Sequence, residues 1–257
     1  MFSWKALGIA TVLGCGALSL SAKADTPNVD ALKAQSGAAL MAAIDKRTYD
    51  YSTQKWVFRM TITEKSGASR EAKFSVWQKG SKRLVRFLEP GDVKGMSMLS
   101  GGNGEMYVYS PQTDNTRRIA TSARRQTLLG SDMAYDDMQS VGLEPLYNVT
   151  VGQDTGSHVW LELAKKEGAD VVWDKLRLRI DKKAALPDLI EYWDGGKKIR
   201  DQSRTGFTEE GGAPTWKSIK MLDIATGHST TLDMLEQKIG EAIPDSVFSK
   251  RTLVRGQ

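Results

Sequence analysis

The chain has 257 residues, one cysteine, seven tryptophans and a formal net charge of +5. One cysteine excludes an internal disulfide and a multi-thiolate metal site. The charge is too small and too dispersed for a nucleic-acid surface, which calls for a clustered basic face interleaved with aromatics, so no nucleic-acid partner is expected.

The first element is an export signal. Met1 to Lys5 carry one positive charge, an apolar run follows from Ala6 to about Leu20, and small residues at Ala22 and Ala24 predict cleavage after Ala24. The apolar run falls short of the ~20 residues a spanning helix needs. Cleavage removes Lys5 and Lys23, which lowers the charge to +3 and leaves only a weak preference for anionic lipid or an acidic partner. Acylation of Cys15 as a lipoprotein is the weaker alternative, because it would leave an apolar Ala17–Leu20 stub. Residues 25–257 are expected to form a single periplasmic domain, a monomer, with no linker or repeat.

From Asn28 to about Lys46, Val29, Leu32, Leu40, Met41 and Ile44 recur on one helical stripe, with Asn28 as N-cap and Gly37 weakening the middle. Strands follow. Lys55–Thr63, Arg70–Gln78 and Lys82–Leu88 alternate around short Gly-containing turns. Short strands are predicted at Met96–Leu99, Glu105–Ser110 and Thr116–Ala120. The segment up to Val141 breaks this rhythm. Arg117, Arg118, Arg124 and Arg125 lead into Gly130-Ser131-Asp132 and a short acidic, aromatic, helix-like turn. Strands resume at Val149–Val151, His158–Lys166, Val171–Ile180, Leu189–Trp193, Lys197–Thr205, Pro214–Ile224 and Ser229–Gln237. Residues 243–248 read as a short turn capping the sheet edge.

About a dozen strands in hairpin order with no βαβ rhythm make the chain mainly β. An antiparallel meander that curls on itself removes exposed edges. A barrel of this strand count is wider than its own side chains readily fill. The first half supplies a large apolar face: Trp56, Phe58, Met60, Ile62, Phe74, Val76, Phe87, Met96, Met98, Met106 and Val108. These are the candidate cavity residues, methionine being well suited to irregular ligands. Leu128, Leu129, Met133, Tyr135 and Met138 are the candidate underside of a lid. The four arginines are candidate contacts for lipid phosphates or an acidic partner, with pairing to Asp132, Asp136 and Asp137 in a solvated loop as the plainer expectation.

Catalytic motifs are sparse. His158 and His228 have no metal-ligand spacing, and no Gly-x-Ser-x-Gly elbow occurs. Neither an enzyme nor a cofactor or metal is expected.

Five features in order resemble the outer-membrane lipoprotein-sorting protein family, LolA/LolB-like. They are Trp56-Val57-Phe58-Arg59-Met60; Phe87-Leu88-Glu89-Pro90 with Val93-Lys94-Gly95; Tyr107-Val108-Tyr109-Ser110-Pro111; Gly130 to Asp137; and Gly227 to Thr231 with Ile243 to Phe248. The resemblance covers nearly the whole mature chain. It implies an incomplete, unclosed antiparallel β-barrel with a helical lid, sheltering lipid or lipoprotein acyl chains, and an RND/MMPL-type inner-membrane exporter as partner. Two alternatives remain open: a non-shuttling sensor or scaffold of the same fold, and a secreted hydrolase.

Overall fold

A computed structural model describes residues 26–49, 53–102, 104–139, 142–210 and 213–256. The export signal, its cleavage point and Cys15 lie outside the described residues. The chain forms one 13-stranded antiparallel sheet. Its first six strands are β1 (Gln54–Thr63), β2 (Ser69–Lys79), β3 (Lys82–Glu89), β4 (Ser97–Ser100), β5 (Met106–Ser110) and β6 (Asn115–Arg118). The remaining seven are β7 (Tyr147–Asp154), β8 (His158–Lys165), β9 (Lys175–Asp181), β10 (Leu186–Asp194), β11 (Lys197–Glu210), β12 (Ala213–Asp223) and β13 (Ser229–Ile239).

Every strand pairs with its sequence neighbour except at one point. That point lies between β6 and β7; β1 pairs with β13 as well as with β2, from Thr63↔Ser229 to Gln54↔Ile239, and so joins the two ends of the meander. The sheet edges therefore fall on β6 and β7, which are consecutive in sequence but not paired. The barrel is unclosed at this seam. Whatever connects β6 to β7 must run from one edge to the other; residues 119–139 and 142–146 are the described parts of that connection.

The alternation read from sequence sets the faces of the first half. Phe58 lies opposite Phe74, and Phe74 opposite Phe87, across β1, β2 and β3. Their ring centroids stand 5.5 and 5.4 Å apart, a cross-strand aromatic ladder on the inner face. Leu84, Leu99 and Tyr109 point to the outer face of β3–β5, where Ile243, Val247 and Leu253 cover them. Residues 243–248 thus lie on the back of the sheet rather than at its edge, and a terminal helix Lys250–Arg255, capped by the Ser249 hydroxyl, completes the cover.

The predicted N-terminal helix is two. α1 (Val29–Gln35) is capped by Asn28, whose side chain accepts from the Ala31 N–H at 3.0 Å. Ser36 is extended, and its hydroxyl caps α2 (Gly37–Tyr49) by accepting from the Ala39 N–H. Gly37 is not merely a weak point. A Cβ there would sit 2.8 Å from the carbonyl oxygen of Val149, so α2 begins directly against the β7 backbone. From there α2 touches β7 and β12, burying Leu40, Met41 and Ile44 in the main core.

Several boundaries differ from expectation; β10 begins at Leu186 rather than Leu189, and β6 ends at Arg118 rather than Ala120. Residues 171–174 precede the strand rather than belong to it, β11 runs on to Glu210, and β7 is longer than Val149–Val151. The segment expected to be helical contains only 3-10 turns, at Thr121–Ala123 and Tyr135–Met138. No described helix is long and apolar enough to cross a membrane.

Candidate lipid-binding site

The crossing segment is a miniature hairpin. Thr127 and Ala134 form an isolated antiparallel bridge, with Leu128 N–H donating to the Met133 carbonyl at 2.8 Å and Tyr135 N–H to the Gln126 carbonyl at 3.2 Å. Leu129 and Gly130 turn its tip with positive φ. The tip reaches the middle of the sheet. Arg70 on β2 donates to the Leu129 carbonyl at 2.7 Å, Asp132 N–H donates to Thr230 Oγ1 on β13 at 2.8 Å, and Arg200 on β11 donates to the Asp132 carbonyl at 3.0 Å.

Its acids are buried and matched, though not to the arginines expected. Asp137 accepts from Arg200 Nη2 at 2.6 Å and from the Ala134 N–H at 2.7 Å. Both members of this pair are 6% exposed. The Arg200 guanidinium lies 4.5 Å from the Trp173 ring and 4.2 Å from that of Tyr192. Asp132 accepts from Thr230 Oγ1 at 2.7 Å and stands 2.7 and 2.8 Å from His228 Nδ1. Burial works against the charged His228 ring, but the Asp132 and Glu64 carboxylates outweigh it and hold its pKa above the usual value. Burial, with Asp137 nearby, pushes Asp136 up to about 6.

The four candidate arginines, two on β6 and two in the segment, lie at its base instead. Arg124 binds the Gly104 carbonyl and stands 3.5 Å from Asp170. Arg125 binds Asp194 and the Val172 carbonyl. Arg118 lies 3.3 Å from Glu105, and Arg117 donates to the Tyr135 hydroxyl at 3.1 Å. The solvated pairing with Asp132, Asp136 and Asp137 does not form, because the tip plunges inward while its base stays at the rim.

Beneath the segment two chambers adjoin. The smaller, about 230 Å³, is lined by Trp56, Phe58, Phe74, Val76, Val85, Met133, Met138, Trp216, Ile219 and Leu232, with Arg83 and Arg204 among them. The larger, about 390 Å³, is lined by Leu143, Leu146, Tyr147, Val171, Trp173, Leu176, Ile190 and Tyr192, with Arg124 and Asp136. Tyr49, Asp137, Gln139, Gln202 and Arg204 belong to both walls. The larger lies within the size range of small-molecule sites, about 300–1,000 Å³, and the smaller extends it.

Of the candidate cavity residues, Trp56, Phe58, Phe74 and Val76 line the smaller chamber. Met60, Ile62, Phe87, Met98 and Met106 are buried in the solid core beside it. Met96 and Val108 line a separate groove of about 380 Å³ together with Leu129 and Arg117. Of the candidate lid residues, Met133 and Met138 face the smaller chamber, while Leu128 and Tyr135 are packed in the core. The second half of the chain supplies lining that sequence reading missed: Trp173, Ile190, Tyr192, Trp216, and the polar residues Gln202 and Arg204 on β11, with Arg200 buried next to them on the same strand. Alternation along Lys197–Thr205 puts charged residues on both faces and does not say which face looks inward.

The histidines are separate from the chambers. Besides Asp132, His228 faces Glu64 at 3.5 Å. His158 Nδ1 lies 2.9 Å from Ser157 Oγ and its Nε2 3.3 Å from Asp188, but Asp188 is gripped at both oxygens by Arg179. Among the described residues no group of three or more His, Cys, Asp or Glu is placed to hold a metal ion.

A family model whose description reads "-like: Uncharacterized protein" matches residues 79–255. No curated protein sequence matches the chain. Solved structures of the same shape include a DUF1329 family protein from Desulfovibrio piger, 20% identical, covering 89% of this chain and 100% of its own, with a TM-score of 0.77. A domain from Vibrio parahaemolyticus described as outer membrane lipoprotein-sorting is 19% identical over 85% of this chain and 98% of its own, with a TM-score of 0.74. A LolA superfamily protein from Nitrosomonas europaea is 18% identical over 84% and 98%, with a TM-score of 0.71. The architecture is therefore the LolA-like one, an unclosed antiparallel barrel.

Proposed function

The chain belongs to the family whose model spans residues 79–255, and we propose that it is a periplasmic carrier that shelters a lipid or lipoprotein acyl chain on its way between the membranes of the envelope. The observation that carries this reading is the pair of adjoining chambers under the crossing segment, walled by aromatic and aliphatic side chains. An alkyl chain gains about 0.8 kcal/mol for each CH₂ withdrawn from water, so sheltering even ten carbons outweighs typical thermal energies many times over. Release then needs a part that exchanges its own contacts for those of the cargo. The 126–138 hairpin has that character, since Met133 and Met138 line the chamber while Arg200, Thr230 and His228 hold its tip by polar contacts.

An export signal ending at Ala24 supports the periplasmic location. An RND/MMPL-type exporter is the proposed donor, on the strength of the family resemblance alone. No catalytic role is part of this reading.

Native mass spectrometry of the protein taken from the envelope tests it. The expected spectrum contains a chain beginning at Asp25 and a noncovalent lipid adduct. Protein that emerges without lipid, and that takes up no fluorescent fatty acid or fatty ester after delipidation, overturns the carrier reading.

A further inference from the structure

The chambers are not uniformly apolar, and the exception is specific. Arg83 on β3 and Arg204 on β11 both line the smaller chamber, and Arg204 also lines the larger. Among the described residues, neither has a carboxylate within ion-pair distance. Arg204 directs Nε and Nη2 at a single neutral acceptor, Gln202 Oε1, at 2.9 and 2.6 Å. Arg83 directs Nε and Nη2 at Gln78 Oε1 at 3.2 and 2.5 Å, and Nη1 at the Gln139 carbonyl at 2.9 Å. These amide oxygens orient the guanidiniums and neutralise none of their charge. Nη1 of Arg204 has no hydrogen-bond partner among the described residues.

The contrast with Arg200 is internal to one strand. Arg200, four residues earlier on the same face of β11, is given a carboxylate at 2.6 Å and two aromatic faces. Asp137, the carboxylate nearest to hand, is committed to that pair and to the Ala134 N–H. Burial accordingly depresses the pKa of both Arg83 and Arg204, whereas Arg200 is held above the ordinary value: burial opposes it, and Asp137 outweighs burial. Trp216 lines the same chamber, and its buried indole N–H also lacks an acceptor among the described residues. Two half-buried cations without a carboxylate partner and a spare donor around one chamber are costly unless something supplies the missing oxyanion.

Building on the carrier reading, we propose that the cargo is an anionic amphiphile, its carboxylate or phosphate held inside the barrel by Arg83 and Arg204 and its tail lying against Trp56, Phe58, Phe74 and Val76. Guanidinium N–H groups match the oxygens of either head in fork geometry. The charged end enters with the tail rather than staying in water, which sets this site apart from a plain acyl groove.

Binding of three probes of equal chain length to the delipidated full-length mature protein tests this: a fatty acid, its methyl ester, and the alkyl phosphate. The readout is the affinity ratio of anion to ester, taken within each variant, which does not depend on the fraction of protein folded. In the wild type at least one anion is expected to bind about tenfold or more tighter than the ester, the size of one strong charge-assisted contact. That ratio is expected to fall toward one in Arg204→Gln and to recover in part in Arg204→Lys. Arg83→Gln is the second variant; if it does not fold, Arg204→Gln decides alone. Whether the acid or the phosphate shows the larger ratio identifies the head group. A ratio near one in the wild type, or one that survives in Arg204→Gln, overturns the proposal while leaving the carrier reading intact. Failure of all three probes to bind removes the carrier reading itself.

Discussion

Arg200 is the hinge of the site's stability, and Arg200→Ala is the sharpest test of how the crossing segment is held. Arg200 is buried, and its guanidinium makes two hydrogen bonds to the segment, one to the Asp132 carbonyl and one to the Asp137 carboxylate. It also packs on Trp173 and Tyr192. Removing it strands the Asp137 carboxylate in a buried place. Breaking a buried pair from one side costs about 3–5 kcal/mol. For a domain of this size each kcal/mol moves Tm by about 2–4 °C, so a fall of about 6–20 °C is expected. Urea denaturation gives the free energy, and hydrogen exchange of the 126–138 amides shows where it is lost. Adding Asp137→Asn to the variant removes the stranded charge and is expected to restore part of the loss, a coupling of at least about 1 kcal/mol. Arg204→Gln serves as the internal control. It removes a half-buried cation that has no carboxylate within ion-pair distance among the described residues, so the empty protein is expected to change by less than about 1 kcal/mol or to gain stability. A loss below about 1 kcal/mol for Arg200→Ala, with unchanged exchange at 126–138, would refute the clamp.

Three further expectations concern the same region. The charged His228 ring beside Asp132 has a folded-state pKa above its unfolded one, so its contribution is complete below about pH 6.5 and is lost as pH rises through the folded value; His228→Gln flattens the stability profile over that window, and an unaltered slope contradicts it. Asp136 slopes the same way for a different reason: pushed up to about 6 by burial, it imposes a cost that grows as pH rises from about 4 to 6, so Asp136→Asn is expected to gain about 1–2 kcal/mol at pH 7 in urea melts. Gly37→Ala drives a methyl group to 2.8 Å from the Val149 carbonyl oxygen and is expected to cost about 1–3 kcal/mol despite the better helix propensity of alanine; a gain in Tm counts against the tight α2–β7 contact.

Local pattern made the strands legible. Alternation and Gly-containing turns are written in consecutive residues, and so the inward ladder Phe58, Phe74, Phe87 follows from the sequence without knowledge of the curl. The cap at Asn28 is equally local. The segment after β6 was visible as a break in rhythm, though its form was not, since a small hairpin pinned by Arg70, Thr230 and Arg200 depends on partners from three distant strands.

What composition and alternation determined was a long antiparallel meander with one greasy face in its first half. What they left undecided was which side of the second half is the inside. A strand's alternation fixes two faces and names neither, and β11 carries Arg200, Gln202 and Arg204 on one and Asp201 and Ser203 on the other. Pairing of β1 with β13 curls the sheet so that the basic face looks inward. Asp137 neutralises one of its cations, and nothing in the described chain neutralises the other. Only the closure of distant strands makes a charged stripe into the lining of a chamber, because burial is a property of the assembled sheet and not of any stretch of it.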